Sequence, residues 1–152
     1  MAISVRAADP VASAMFRGDA AHTGVYAATL KGIHGLRWKF KTGAMVRSSA
    51  AVADATVYFG SDDGNLYAVE LKSGKLKWKF ATGGRVASSP AVVDGMVYFQ
   101  SDDRTFYALE AATGKVAWRF RTGEDVPHVN PALPPWIDDW DYFLSSPVVV
   151  SG

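Results

Sequence analysis

The chain has 152 residues, 49% of them hydrophobic and 20% charged, with 16 Lys and Arg against 15 Asp and Glu. That length suits one globular domain, and the near-neutral charge argues against a general nucleic-acid binder. The chain has no cysteine for a disulfide, a thiolate metal site, a thiol nucleophile or a lipidated anchor, and no apolar run approaches the ~18 residues of a membrane-spanning helix.

Residues 1–14 are small and mostly apolar, with Ala7-Ala8 and Ala12-Ser13-Ala14. They lack the basic start and the apolar core of a complete secretion signal. They read as the remnant of one or as a flexible leader. Residues 15–152 read as a single, partial domain. Its first predicted element is a lone strand over 36–41, where Trp38 and Phe40 alternate with Arg37, Lys39 and Lys41.

From here the sequence repeats. Trp38, Trp78 and Trp118 stand 40 residues apart, and so do Phe40, Phe80 and Phe120. Thr42-Gly43, Thr82-Gly83 and Thr122-Gly123 keep the register, as do Ser48-Ser49 with Ser88-Ser89 and Ser61-Asp62-Asp63 with Ser101-Asp102-Asp103. So many coincidences at one offset establish an internal repeat. The two complete units cover 48–81 and 88–121. In the second, strands are predicted at 88–93, Met96–Ser101, Thr105–Glu110 and 115–121. Asp94-Gly95, a strong hairpin dipeptide, closes the first. No stretch keeps a sustained apolar period of about 3.6, so almost no helix is expected. A period near 40 with four strands per unit is the pattern of β-propeller blades. The expected fold is all-β, a partial propeller of four-stranded antiparallel blades, two of them complete, flanked by single strands.

After the second blade the register breaks. Four residues separate Gly83 from Ser88, but 21 separate Gly123 from Ser145, an insertion of 17. The loop 124–144 holds four Pro, the aromatics Trp136, Trp140, Tyr142 and Phe143, and five acids with no Lys or Arg. Long loops on rigid scaffolds often carry function. Asp138, Asp139 and Asp141 offer hard oxygen ligands of the kind Ca²⁺ takes, with His128 as a polar neighbour. Their spacing does not follow the Ca²⁺-loop pattern, and a Pro-stiffened acidic cap is the alternative. A last strand is expected at 145–150.

The fourth strands carry nine of the 16 basic residues. These mark an outer edge blunted by charge or, alternatively, a polyanion- or membrane-binding stripe. Arg47 and Arg85 lie at equivalent places just before first strands. They are candidates for holding a carboxylated cofactor, or are solvated strand-end residues. His22 and His34 have no paired carboxylate or nucleophile at a recognisable spacing and read as structural.

These residues resemble a known family. Ala68-x-Glu70-x-x-Ser73-Gly74-x-x-x-Trp78 and Ala108-x-Glu110-x-x-Thr113-Gly114-x-x-x-Trp118 are similar to the tryptophan-docking motif of quinoprotein-type propellers, with Glu where that family usually has Asp. The stretch 88–99 resembles the first half of a PQQ-like repeat, and 15–24 the lead-in to the first blade. The resemblance implies that Trp38, Trp78 and Trp118 pack across blade interfaces near the motif Ala and Gly (Ala68, Gly74, Ala108, Gly114), rather than stacking on a cofactor. It implies an extracytoplasmic protein, periplasmic or secreted. Two blades cannot close a ring of about four to eight. The expectation is therefore the N-terminal piece of a longer propeller, or a short chain that assembles into a ring. Either exposes apolar faces and edges open to self-association.

Two functions follow from the resemblance. The first is a non-catalytic binding or scaffold module for protein partners, BamB-like and without a cofactor. The second is part of a PQQ-dependent alcohol or sugar dehydrogenase using PQQ and Ca²⁺. Such dehydrogenases are implied to carry a vicinal cysteine pair and a Glu/Asn/Asp metal set, and this chain has no cysteine.

Overall fold

The computed structural model describes residues 35–122 together with Ser146, Pro147 and Val149. These residues form two four-stranded antiparallel sheets and no helix. The first sheet holds β1 (Ala51–Ala53), β2 (Thr56–Gly60), β3 (Asn65–Glu70) and β4 (Leu76–Ala81) in sequence order. The second repeats it with β5 (Ala91–Val93), β6 (Met96–Ser101), β7 (Thr105–Glu110) and β8 (Val116–Arg121). The ladders match residue for residue at the repeat offset: Tyr58 faces Ala68 as Tyr98 faces Ala108, and Ala68 faces Trp78 as Ala108 faces Trp118. Even the irregularity recurs, between Ala68 and Val69 and between Ala108 and Leu109.

Turn chemistry explains the hairpins. The β1–β2 and β5–β6 turns need two successive residues with positive φ. Asp94 (φ 49°) and Gly95 (φ 74°) supply them in the second blade, and Asp54 (φ 46°) and Ala55 (φ 54°) in the first.

Strand alternation then sorts side chains between two faces. One face of the first blade and the opposing face of the second merge into a common core, with Tyr58, Leu66 and Ala68 against Val97, Phe99, Tyr107 and Leu109. The other face of the first blade buries Val57, Phe59, Tyr67 and Val69 under Trp38 and Phe40.

Two sequence expectations need correction. The first strands are shorter than 88–93 implies, because side chains replace the ladder at their start. Ser88 Oγ donates to Gln100 O at 2.7 Å and accepts from Gln100 N at 2.9 Å. Ser48 treats Gly60 in the same way. Residues 36–41 form no strand, since no third strand lies beside them among the described residues to complete a ladder. The strand expected at 145–150 falls largely outside the described residues.

Candidate functional site

At the end where strand two turns into strand three, the sheet leaves polar residues at a rim. Arg47 precedes β1, and Asp62 sits in the β2–β3 turn. Arg47 Nε donates to Asp62 Oδ2 at 2.7 Å, and Arg85 Nε to Asp102 Oδ2 at 2.6 Å one repeat later. The Asp62 side chain is only 9% exposed, and its backbone N–H is fixed by Met45 O at 2.8 Å. Its second oxygen, Oδ1, is buried with no hydrogen-bond partner among the described residues.

The next residue performs a different task. Asp63 Oδ2 accepts from Gly43 N and from the Tyr67 hydroxyl, both at 2.7 Å, and Oδ1 accepts from Asn65 N at 3.1 Å and Asn65 Nδ2 at 3.0 Å. Burial alone would raise its pKa. The bonds from Tyr67, Asn65 and Gly43 outweigh burial and hold it at about 2. Burial first, and then donation to Asp63, pushes the Tyr67 hydroxyl up to about 12. Asp103 repeats the clamp on Gly83 N at 2.8 Å and the Tyr107 hydroxyl at 2.7 Å. Burial and that same donation raise Tyr107. Each clamp ties the segment leaving one repeat to the blade that follows.

The tryptophans act at the other end of the blades. Trp38 Nε1 donates to Leu71 O at 2.8 Å, and Trp78 Nε1 to Ala111 O at 2.9 Å. A Cβ added to Gly74 would stand 2.6 Å from the Trp38 ring, and one added to Gly114 would stand 2.7 Å from Trp78. Both glycines have positive φ, 69° and 71°. Ala68 and Ala108 are fully buried, each the ladder partner of its own blade's Trp. Trp118 has no such glycine beneath it among the described residues. It is 47% exposed and stacks on Phe106 of its own blade at 5.8 Å.

The sequence candidates therefore part company. Arg47 and Arg85 share the rim but each faces a carboxylate. Asp138, Asp139, Asp141, His22, His34 and His128 lie outside the described residues. Among the described residues no group of three His, Cys, Asp or Glu stands close enough to hold a metal ion. Sequence reasoning used Asp62, Asp63, Asp102 and Asp103 only as markers of the repeat register and missed their roles. The signal was the recurrence of Ser-Asp-Asp, since a plain turn does not demand two acids in both copies.

Two stacked four-stranded sheets with a 40-residue repeat and a tryptophan crossing the gap between them define a β-propeller repeat protein. Residues 27–147 match the family described as outer membrane protein assembly factor BamB, and the chain belongs to that family. No curated protein sequence matches the chain. Among solved structures it is similar to BamB of Moraxella catarrhalis, at 16% identity and a TM-score of 0.52, over 57% of this chain and 27% of that one. It is also similar to the quinohemoprotein alcohol dehydrogenase of Comamonas testosteroni, at 24% identity and a TM-score of 0.62, over 73% of this chain and 19% of that one. A third is the quinohemoprotein alcohol dehydrogenase ADHIIG of Pseudomonas putida HK5, at 28% identity and a TM-score of 0.53, over 60% of this chain and 15% of that one. The chain thus spans about a quarter of the length of the BamB structure and less than a fifth of either dehydrogenase.

Proposed function

We propose that the chain is a non-catalytic β-propeller repeat module that serves protein partners as a binding or scaffold surface, resembling BamB. The observation that supports this most is how the rim spends its charges. Arg47 and Arg85, which a quinone's carboxylates would need, already face Asp62 and Asp102 at 2.7 and 2.6 Å. Asp63 and Asp103 hold the chain's own backbone. These bonds stiffen a platform and leave its loops for recognition. Placement outside the cytoplasm is part of the proposal and draws on the outer-membrane description of the family. No helix among the described residues is long and apolar enough to cross a membrane.

The likeness to two quinohemoprotein alcohol dehydrogenases favours a second reading, a piece of a PQQ-dependent dehydrogenase. The described residues do not fit that cofactor, because the arginines are paired and no metal-ligating set is assembled. The deciding experiment is titration of the folded chain with PQQ and Ca²⁺, followed by quinone absorbance and tryptophan fluorescence, with size-exclusion chromatography on the same sample. The module reading expects no saturable response. Saturable, Ca²⁺-dependent binding overturns it.

A further inference from the structure

The fourth strands form the outer margin of the sheets. The first strands adjoin at the inner side, where Ser49 N donates to Ser89 Oγ at 2.9 Å, and the strand orders place β4 and β8 at the opposite edge. The segments 36–41, 75–81 and 115–121 carry nine basic residues and no acid. The acids among the described residues stand elsewhere. Asp62 and Asp102 pair with Arg47 and Arg85, and Asp63 and Asp103 hold backbone at the rim. Glu70 and Glu110 accept from the hydroxyls of Ser73 and Thr113. Lys39, Lys79 and Arg119 share one repeat position and are all exposed. Among the described residues none of the three is paired with a carboxylate. Lys77 differs, since its Nζ donates to Thr56 Oγ1 at 2.8 Å and serves the blade itself.

Apolar side chains interrupt the cations on the same wall. Leu76 is 47% exposed and Val116 44%. Val116 is open even though its face is turned to the first blade: its ladder partner Leu109 belongs to the core shared by the two blades.

We infer that this outer wall docks on an anionic membrane surface. Two features argue against simple protection of a strand edge. Charge of either sign blunts an edge, and a single one can suffice. Nine charges of one sign on successive layers repel one another and work against the compact state. Edge protection also gains nothing from exposed Leu76 and Val116. A surface that meets lipid headgroups uses both kinds of side chain, cations for the phosphates and apolar groups for the acyl boundary beneath them. A soluble polyanion would use the cations but not the apolar pair, so the membrane is the occupant that accounts for the whole wall. The inference holds whether the molecule is a scaffold or part of an enzyme.

Flotation of the full chain with phosphatidylglycerol vesicles, and separately with phosphatidylcholine vesicles, tests this. Binding to the anionic vesicles alone is expected, weakening about tenfold between roughly 50 and 200 mM salt as the charges are screened. The triple variant Lys39→Gln, Lys79→Gln, Arg119→Gln should bind at least about tenfold more weakly. A parent chain that is folded and does not float with anionic vesicles overturns the inference. So does a triple variant that binds like the parent, because the wall would not be the contact. A second variant, Leu76→Ser with Val116→Ser, keeps every charge. It should bind the vesicles about threefold more weakly and long-chain polyphosphate no differently. Undiminished vesicle binding by this variant, or parent binding to polyphosphate without binding to vesicles, overturns the membrane in favour of a soluble polyanion.

Discussion

At the scale of single residues, the repeat supplies its own controls, because one backbone site carries different side chains in different copies. Gly114 has φ 71° and lies against the Trp78 ring, so an added Cβ meets two penalties at once, left-handed strain and overlap with an aromatic carbon at 2.7 Å. Gly114→Ala is expected to cost about 2–4 kcal/mol in urea unfolding, combining the two. Ala55 inverts the case. It holds φ 54° where the second blade has Gly95 at 74°, and both residues offer their carbonyl to the turn after strand three. Ala55 is exposed, so a smaller residue sacrifices no packing. Ala55→Gly should raise stability by about 0.5 kcal/mol, because relief of left-handed strain exceeds the added chain entropy. A lower urea midpoint for the variant would refute this account of the turn.

At the scale of elements, connections far apart in sequence decide how the blades join. Asp63 clamps Gly43 N from 20 residues away and Tyr67 from within β3, so it links the segment after Trp38 to the first blade. The pH dependence follows in sign. Asp63 has its pKa lowered from 3.8 to about 2, so its ionised form contributes stability that is complete above pH 3.8 and lost as pH falls through 2. Tyr67 is raised from 10.0 to about 12, so its contribution is complete below pH 10.0 and lost as pH rises through 12. Asp63→Ala should cost about 1–3 kcal/mol near neutrality. Its urea midpoint should vary less than the parent's below pH 4, where the carboxylate is gone, and somewhat less above pH 10, where the Tyr67 hydroxyl has lost its acceptor but burial still raises it. An unchanged acid limb would show that other carboxylates carry it. The clamp also marks the limit of what the sequence disclosed. Strands two and three of each blade, the positive-φ hairpins and the paired tryptophans are legible because each rests on local pattern repeated at one offset. The Arg47–Asp62 pair and the Asp63 clamp are not, because only the folded sheet brings a strand-entry residue beside the next hairpin turn. The lone segment 36–41 misled for a related reason: its alternation is that of a strand, but a strand is made by its neighbour.

At the scale of the whole molecule, identical side chains acquire opposite roles from their place in the stack. Phe40, Phe80 and Phe120 occupy one repeat position. Phe40 meets Phe59 and Tyr67 at 5.9 and 5.4 Å, and Phe80 meets Phe99 and Tyr107 at 6.3 and 5.4 Å. The first two therefore seal gaps between layers through edge-on aromatic contacts. Phe120, at 66% exposure, seals nothing among the described residues. A cation at position 80 must either leave the layer or be desolvated within it, so Phe80→Lys should cost about 2–4 kcal/mol. Position 120 already contacts water and lies between Arg119 and Arg121 on a strand whose residues are all exposed, so Phe120→Lys should change stability by less than about 0.5 kcal/mol. Because it breaks an open apolar patch, it should also raise solubility. Thermal unfolding and precipitation assays on the two variants measure the asymmetry directly. Equal destabilisation by both would mean that the outer face of the second blade is covered in solution. The stack would then extend further than the described residues reach.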